Sequence, residues 1–114
     1  MKLTTSSVDP RIIENARFHG FDVELEKAQE ELLELFEALG DFDEERSLEA
    51  RDHVLEEIAD VRIVIDQLEY LMWGEKRCAW WREVKLQRQM KRNRKEREIA
   101  YAESVRPCDG GDYA

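Results

Sequence analysis

A chain of 114 residues, 42% hydrophobic and 39% charged, suits one helical domain with a narrow core, which favours completion by oligomerisation. A formal net charge of -9 and a pI near 4.8 exclude a general nucleic-acid binder, which needs a basic face for phosphates. No apolar run approaches the ~18 residues of a membrane span. The N-terminal MKLTTSSVDP has no signal-type apolar region, and the two separated cysteines, Cys78 and Cys108, form neither a disulfide framework nor, with His19 and His53, a zinc pattern. A soluble protein of the reducing cytoplasm, with no membrane or nucleic-acid partner, is the expectation.

In chain order, Asp9 and Pro10 read as an N-cap and first helical residue, predicting a short helix over about Pro10 to His19 that Gly20 stops. Asp22 offers the next N-cap. Leu25, Ala28, Leu32, Leu35, Phe36 and Leu39 then recur at helical spacing until Gly40 closes the helix. Asp41 to Ser47 reads as acidic and irregular. It is no calcium loop, because Arg46 stands where such a loop needs glycine and Asp52 where it needs glutamate. A third helix is predicted over about Leu48 to Trp73, with Val54, Ile58, Val61, Ile65, Leu68 and Met72 as its apolar stripe and Gly74 as its breaker. A fourth runs from about Glu75 to Ala102, aromatic at its start and then strongly basic. A single domain over residues 1–103 is expected, followed by a disordered tail over 104–114 with Pro107, Gly110 and Gly111.

Charge is unevenly spread. Residues 24–60 hold fifteen acids against Lys27, Arg46 and Arg51, and residues 82–97 hold eight bases against Glu83 and Glu96. Two acidic clusters stand out, Glu30-Glu31-Leu32-Leu33-Glu34 and Glu56-Glu57-Ile58-Ala59-Asp60. Carboxylates three apart share a helix face, so Glu31 with Glu34 and Glu57 with Asp60 each form a jaw. Antiparallel packing of the two helices brings the jaws together. Glu57 and Asp60 lie beside the apolar stripe, in line with Val64 and Leu71, and Glu31 flanks Leu25, Leu32 and Leu39. Acids drawn to a helix seam lose hydration and repel one another unless a cation compensates. Mg²⁺ is the natural candidate, being hard, oxygen-seeking and able to keep water and phosphate ligands. In a chain with 27 acids, a pair at this spacing also arises by chance, as a solvated face.

Glu31-x-x-Glu34, twenty-two residues, then Glu57-x-x-Asp60 resembles the pattern of the MazG-like all-α nucleoside triphosphate pyrophosphohydrolases, the small phage and bacterial type. Lys27 to Leu35 is similar to that family's first motif helix and Glu56 to Leu68 to its second. Lys85-Leu86-Gln87-Arg88 is similar to a downstream basic segment, and the likeness spans roughly residues 22 to 92. It implies an all-α helical bundle completed by a second copy, as a homodimer or a dimer of dimers. It also implies Mg²⁺ (with Mn²⁺ as a substitute) held by Glu31, Glu34, Glu57 and Asp60, and hydrolysis of a nucleoside triphosphate to monophosphate and pyrophosphate. Lys85, Arg88 and Arg92, at spacings of three and four, are the candidate phosphate ligands. Lys27 either joins them or pairs with Glu31, the pairing being preferred. Glu30 and Glu56 either support the metal ligands from behind or are simply solvated.

Trp73, Trp80 and Trp81 lie outside the resemblance and read as core or interface residues, with base stacking as the alternative. His19 and His53 read as structural or exposed, and the absence of a Glu-x-x-His pattern disfavours a ferritin-like di-iron site. Two other readings fit the same residues: a non-catalytic acidic helical interaction module, and an inactive nucleotide sensor.

Overall fold

The computed structural model describes residues 8–105, all of whose regular elements are helices: α1 (Pro10–His19), α2 (Phe21–Glu44), α3 (Leu48–Leu71) and α4 (Glu75–Ser104). They fall into two compact units, the first ending at Glu75 and the second beginning at Lys76. Among the described residues no helix is long and apolar enough to cross a membrane. The residues of the expected tail from 106 onward, Cys108 among them, lie outside the described region, while Ser104 still belongs to α4.

Helix α1 starts as its sequence dictates. The Asp9 carboxylate accepts the Arg11 backbone N–H at 2.9 Å and pairs with the Arg11 guanidinium at 2.7 Å. Gly20 then serves both α1 and α2. Its N–H donates to the Ala16 carbonyl and its own carbonyl accepts from Glu24, at φ 83° and ψ 167°, a backbone conformation essentially confined to glycine. The chain re-enters a helix within one residue, so the expected cap at Asp22 does not form. Asp22 sits inside the first turn of α2, where its charge still suits the helix N-terminus.

Gly40 does not close α2. The helix continues to Glu44, absorbing most of the segment expected to be irregular. A helical glycine costs about 1 kcal/mol relative to alanine. The extra turn offsets that by half-burying Phe42 in register with Ala38, with Arg46 over the Phe42 ring. The turn that remains is short: Ser47 caps α3 by accepting the Ala50 N–H at 3.0 Å. At its far end α3 stops two residues before the expected Trp73, in a left-handed C-terminal motif. Trp73, at φ 55°, donates to the Tyr70 carbonyl and Gly74 donates to that of Glu69. Tryptophan thus takes the position usually given to glycine; the residue is 89% exposed and its ring stacks on Tyr70.

Helices α2 and α3 form an antiparallel hairpin, with Glu24 meeting Gln67 at one end and Glu31 meeting Glu57 and Asp60 midway. Its seam takes Ala28, Leu35, Val54 and Val61 from the expected stripes but leaves out their largest exposed residues. On α2 it consists of Glu24, Ala28, Glu31, Leu35, Ala38 and Phe42, and on α3 of Val54, Glu57, Val61, Val64 and Gln67, all buried or half-buried. Leu25, Leu32, Phe36 and Leu39, expected to face the core, are 40–73% exposed, and Leu55, Ile65 and Met72 are exposed too. Small residues win the seam because they let the backbones approach, while the larger ones sit one residue, about 100°, further round each helix. In an antiparallel pair that rotation carries both stripes to the same side of the hairpin. Residues one position before the seam, among them Glu34, His53, Glu56 and Asp60, lie on the opposite side. Helix α1 packs on the hairpin through fully buried Ala16, and Arg17 lies over the Tyr70 ring.

The second unit is built on α4, none of whose residues is buried. Trp80 and Trp81 meet edge to face at 4.7 Å, Arg77 stacks over both rings, and Lys85 lies 5.7 Å from the centre of the Trp81 ring. Neither these tryptophans nor Trp73 fills a core.

Candidate metal centre

The hairpin gathers acids from both motif helices. One carboxylate oxygen each from Glu31, Glu57 and Asp60 lie within 4.8 Å of one another. Glu31 and Glu57 occupy seam positions one turn apart from Ala28 and Val54, which is why they are held out of water. Glu57 is only 6% exposed. Its Oε2 and the Oε2 of Glu31 are both buried, and no hydrogen-bond donor among the described residues reaches either. Two buried acceptors without donors, facing a third carboxylate, are a costly arrangement for a folded chain.

The electrostatics agree with the geometry. Burial raises the Glu31 carboxyl above its ordinary range, and Glu34, Asp60 and Glu57 push it further; Lys27 pulls the other way. Burial likewise raises Glu57, with Glu34 and Asp60 adding repulsion and His53 opposing it. Glu34 is therefore near enough to act on both buried acids, although it stands outside the group of three converging oxygens. The expected Lys27–Glu31 ion pair does not form among the described residues, and Lys27 acts through space. The two helices simply hold Lys27 on the exposed side, one residue before the seam.

A set of oxygen ligands without donors fits a hard divalent cation, which supplies the positive charge that the protein does not. No Lys or Arg forms an ion pair with these acids among the described residues, and one divalent ion could reach Glu31, Glu57 and Asp60 together.

The remaining candidates are placed as follows. Glu30 and Glu56 are exposed, and Glu56 lies 3.5 Å from the His53 ring. Lys85, Arg88 and Arg92 are exposed on one face of α4, in the second unit. Two features escaped sequence reasoning. The first is His53, which belongs to a second convergent group with Glu56 and Glu57. The second is a polar network at the other end of the seam, in which Glu24 Oε1 stays buried without a hydrogen-bond donor among the described residues. Glu24 is fully buried, its Oε2 accepting from the Gln67 amide at 2.6 Å and lying 2.9 Å from His19 Nδ1. The signal for Glu24 was its heptad-like spacing with Ala28 and Glu31, which an apolar pattern alone does not score.

Compared with known protein families, curated proteins and solved structures, the chain matches none.

Proposed function

We propose that this chain is a Mg²⁺-dependent nucleoside triphosphate pyrophosphohydrolase, converting a (d)NTP and water to (d)NMP and pyrophosphate. One observation carries the reading. The two sequence motifs meet across the hairpin, where a buried carboxylate oxygen of Glu31 and one of Glu57 have no hydrogen-bond donor among the described residues. Glu31, Glu57 and Asp60 would hold the ion, with Glu34 beside them adding negative charge. When bound, Mg²⁺ supplies charge neutralisation for the triphosphate and lowers the pKa of the attacking water. The chain's own part is to fix the ligands at the seam, with Glu57 buried and Glu31 half-buried. Lys85, Arg88 and Arg92 are the groups proposed to grip the phosphates, each a cation on one helix face.

A homo-oligomer belongs to the same proposal. The exposed stripes of Leu25, Leu32, Phe36 and Leu39 on α2 and of Leu55, Ile65 and Met72 on α3 share one side of the hairpin, away from Glu34 and Asp60. A second copy covering that side would leave the acidic side open to substrate. Light scattering of wild type and Phe36→Glu tests this part, and a monomeric wild type would refute it.

The activity is tested by pyrophosphate release from a panel of ribo- and deoxynucleoside triphosphates, with and without Mg²⁺. Mg²⁺-dependent release of pyrophosphate and monophosphate, lost in Glu57→Gln, is the expected result. Folded wild type that turns over no nucleotide with excess metal would overturn the enzyme reading in favour of an interaction module or a sensor.

A further inference from the structure

The side chain of Glu57 belongs to two groups. On one side are Glu31 and Asp60. On the other are His53, one turn earlier on α3, and Glu56; one ring nitrogen and two carboxylate oxygens of this second group also lie within 4.8 Å of one another. Ligands about 2.0–2.2 Å from a common metal stand at most about 4.4 Å apart, so the second group needs only a small adjustment to close on an ion. The arrangement follows from helix geometry. His53 and Glu57 are four residues apart and His53 and Glu56 three, so all three side chains cover the same turn.

Two exposed residues beside an acid would carry no argument alone. Glu57 supplies the independent observation. It is more than nine-tenths buried, its Oε2 has no donor, and it sits where the two groups overlap. A carboxylate has two oxygens with lone pairs on each, and a single ion on the Glu31 side leaves it free to bind a second on the His53 side. The contact between His53 Nδ1 and Glu56 Oε1 is long for a hydrogen bond, at 3.5 Å, so neither group is committed to the other.

We propose that His53, Glu56 and Glu57 form a second divalent-cation site, sharing Glu57 with the first and selective for a first-row transition metal over Mg²⁺. The selectivity follows from the ligands: imidazole nitrogen suits Fe²⁺, Ni²⁺ or Zn²⁺, whereas Mg²⁺ takes oxygen; Mn²⁺, the weakest-binding of the series, is a stringent test. The site rests on the reading of the seam acids as metal ligands, and it makes the centre asymmetric. One position is all oxygen, and the other carries one nitrogen.

Mn²⁺ is the probe. Calorimetric and EPR titrations of the full chain should find two Mn²⁺ per chain, and only one Mg²⁺. Pulsed EPR should detect coupling to a ring nitrogen. His53→Gln should retain one Mn²⁺, bind the second roughly tenfold or more weakly, and lose the nitrogen coupling. Glu31→Gln should keep the nitrogen-coupled ion while losing the other. A wild type that binds a single Mn²⁺ without nitrogen coupling, unchanged by His53→Gln, overturns this site and leaves the Glu31–Glu57–Asp60 position intact. Loss of the nitrogen-coupled ion in Glu31→Gln also overturns it, because no separate second position would then exist. A wild type that binds no Mn²⁺ at all defeats both readings together. His53 is exposed, so His53→Gln does not put the fold at risk.

Discussion

Replacing Glu57 by glutamine separates a metal ligand from an ordinary core residue, because the two roles predict opposite effects on stability. In the metal-free chain Glu57 is a charge in a seam, pushed up by burial and by Glu34 and Asp60, with a buried oxygen that receives no hydrogen bond. Glutamine keeps the shape, removes the charge and brings an amide that can donate to Glu31 or Asp60. Glu57→Gln should therefore melt higher than wild type in EDTA. With metal the order reverses. An ion at a hundred times its dissociation constant stabilises the folded state by about 2.7 kcal/mol. For a unit of this size that is a rise of roughly 10–20 °C in Tm. Wild type should show that rise with Mn²⁺ or Mg²⁺, and the variant should show almost none. Paired thermal melts by circular dichroism, in EDTA and in excess metal, read both effects. A variant that is less stable than wild type in EDTA and still gains stability from metal would refute the reasoning.

Three further outcomes follow from the same seam. Glu31, Glu57 and Asp66 all have carboxyls raised above their ordinary values, with burial the largest cause in each. Such a group binds its proton more readily when folded, so its ionisation destabilises. In EDTA the urea midpoint should rise as the pH falls from 7 toward 5, whereas Asp9, held at about 2 by Arg11, subtracts stability only at far lower pH. A midpoint that falls over that window would contradict the assignment; in saturating Mn²⁺ the slope should reverse, because protons then compete with the ion. Gln67→Leu removes the 2.6 Å hydrogen bond to fully buried Glu24 and should cost about 2 kcal/mol by urea denaturation; an unchanged midpoint would show that the bond contributes nothing. Ala28→Leu forces bulk between helices in contact and should cost about 1–3 kcal/mol. It should also shrink the metal-induced rise in Tm, since Ala28 lies one turn from Glu31, whereas Leu32→Ala on the exposed stripe should leave that rise intact.

The helices were legible because their ends carry strong local chemistry. Asp9-Pro10, Gly20 and Gly74 mark boundaries through caps and backbone freedom, which act over a few residues. Gly40 misled because its helical cost is small beside what Phe42 gains at the seam. The seam itself was displaced by about a third of a turn, for a physical reason. Hydrophobic periodicity scores the largest apolar residues, here Leu25, Leu32, Leu39, Ile58, Ile65 and Met72. Close helix packing keeps Ala28, Leu35, Val54 and Val61 of the expected stripes and adds Ala38 and Val64, which the stripes did not include. Glu31 and Glu57 were still legible as seam acids, because carboxylates three and four residues from such positions fall on the same face. The role of His53 was not legible, since its significance lies in the side-chain group it shares with Glu57 and not in any spacing peculiar to histidine.

The hairpin buries carboxylates at two places, and the contrast between them is informative. At Glu24 the surroundings bring their own partners: the Gln67 amide donates and His19 lies alongside, so the polar group is held by three helices at once. That arrangement locks α1 to the hairpin and asks for nothing further on the bonded oxygen. At Glu31 and Glu57 the same seam brings more acids from both helices, with Lys27 and His53 opposing them only through space. A chain selected for stability alone would have leucine at such positions, or a donor like Gln67 opposite them. At the Glu24 end the fold supplies donors to one oxygen and leaves Oε1 without any, whereas at the other end both buried Oε2 atoms lack one, and there the proposed cation would supply the missing charge.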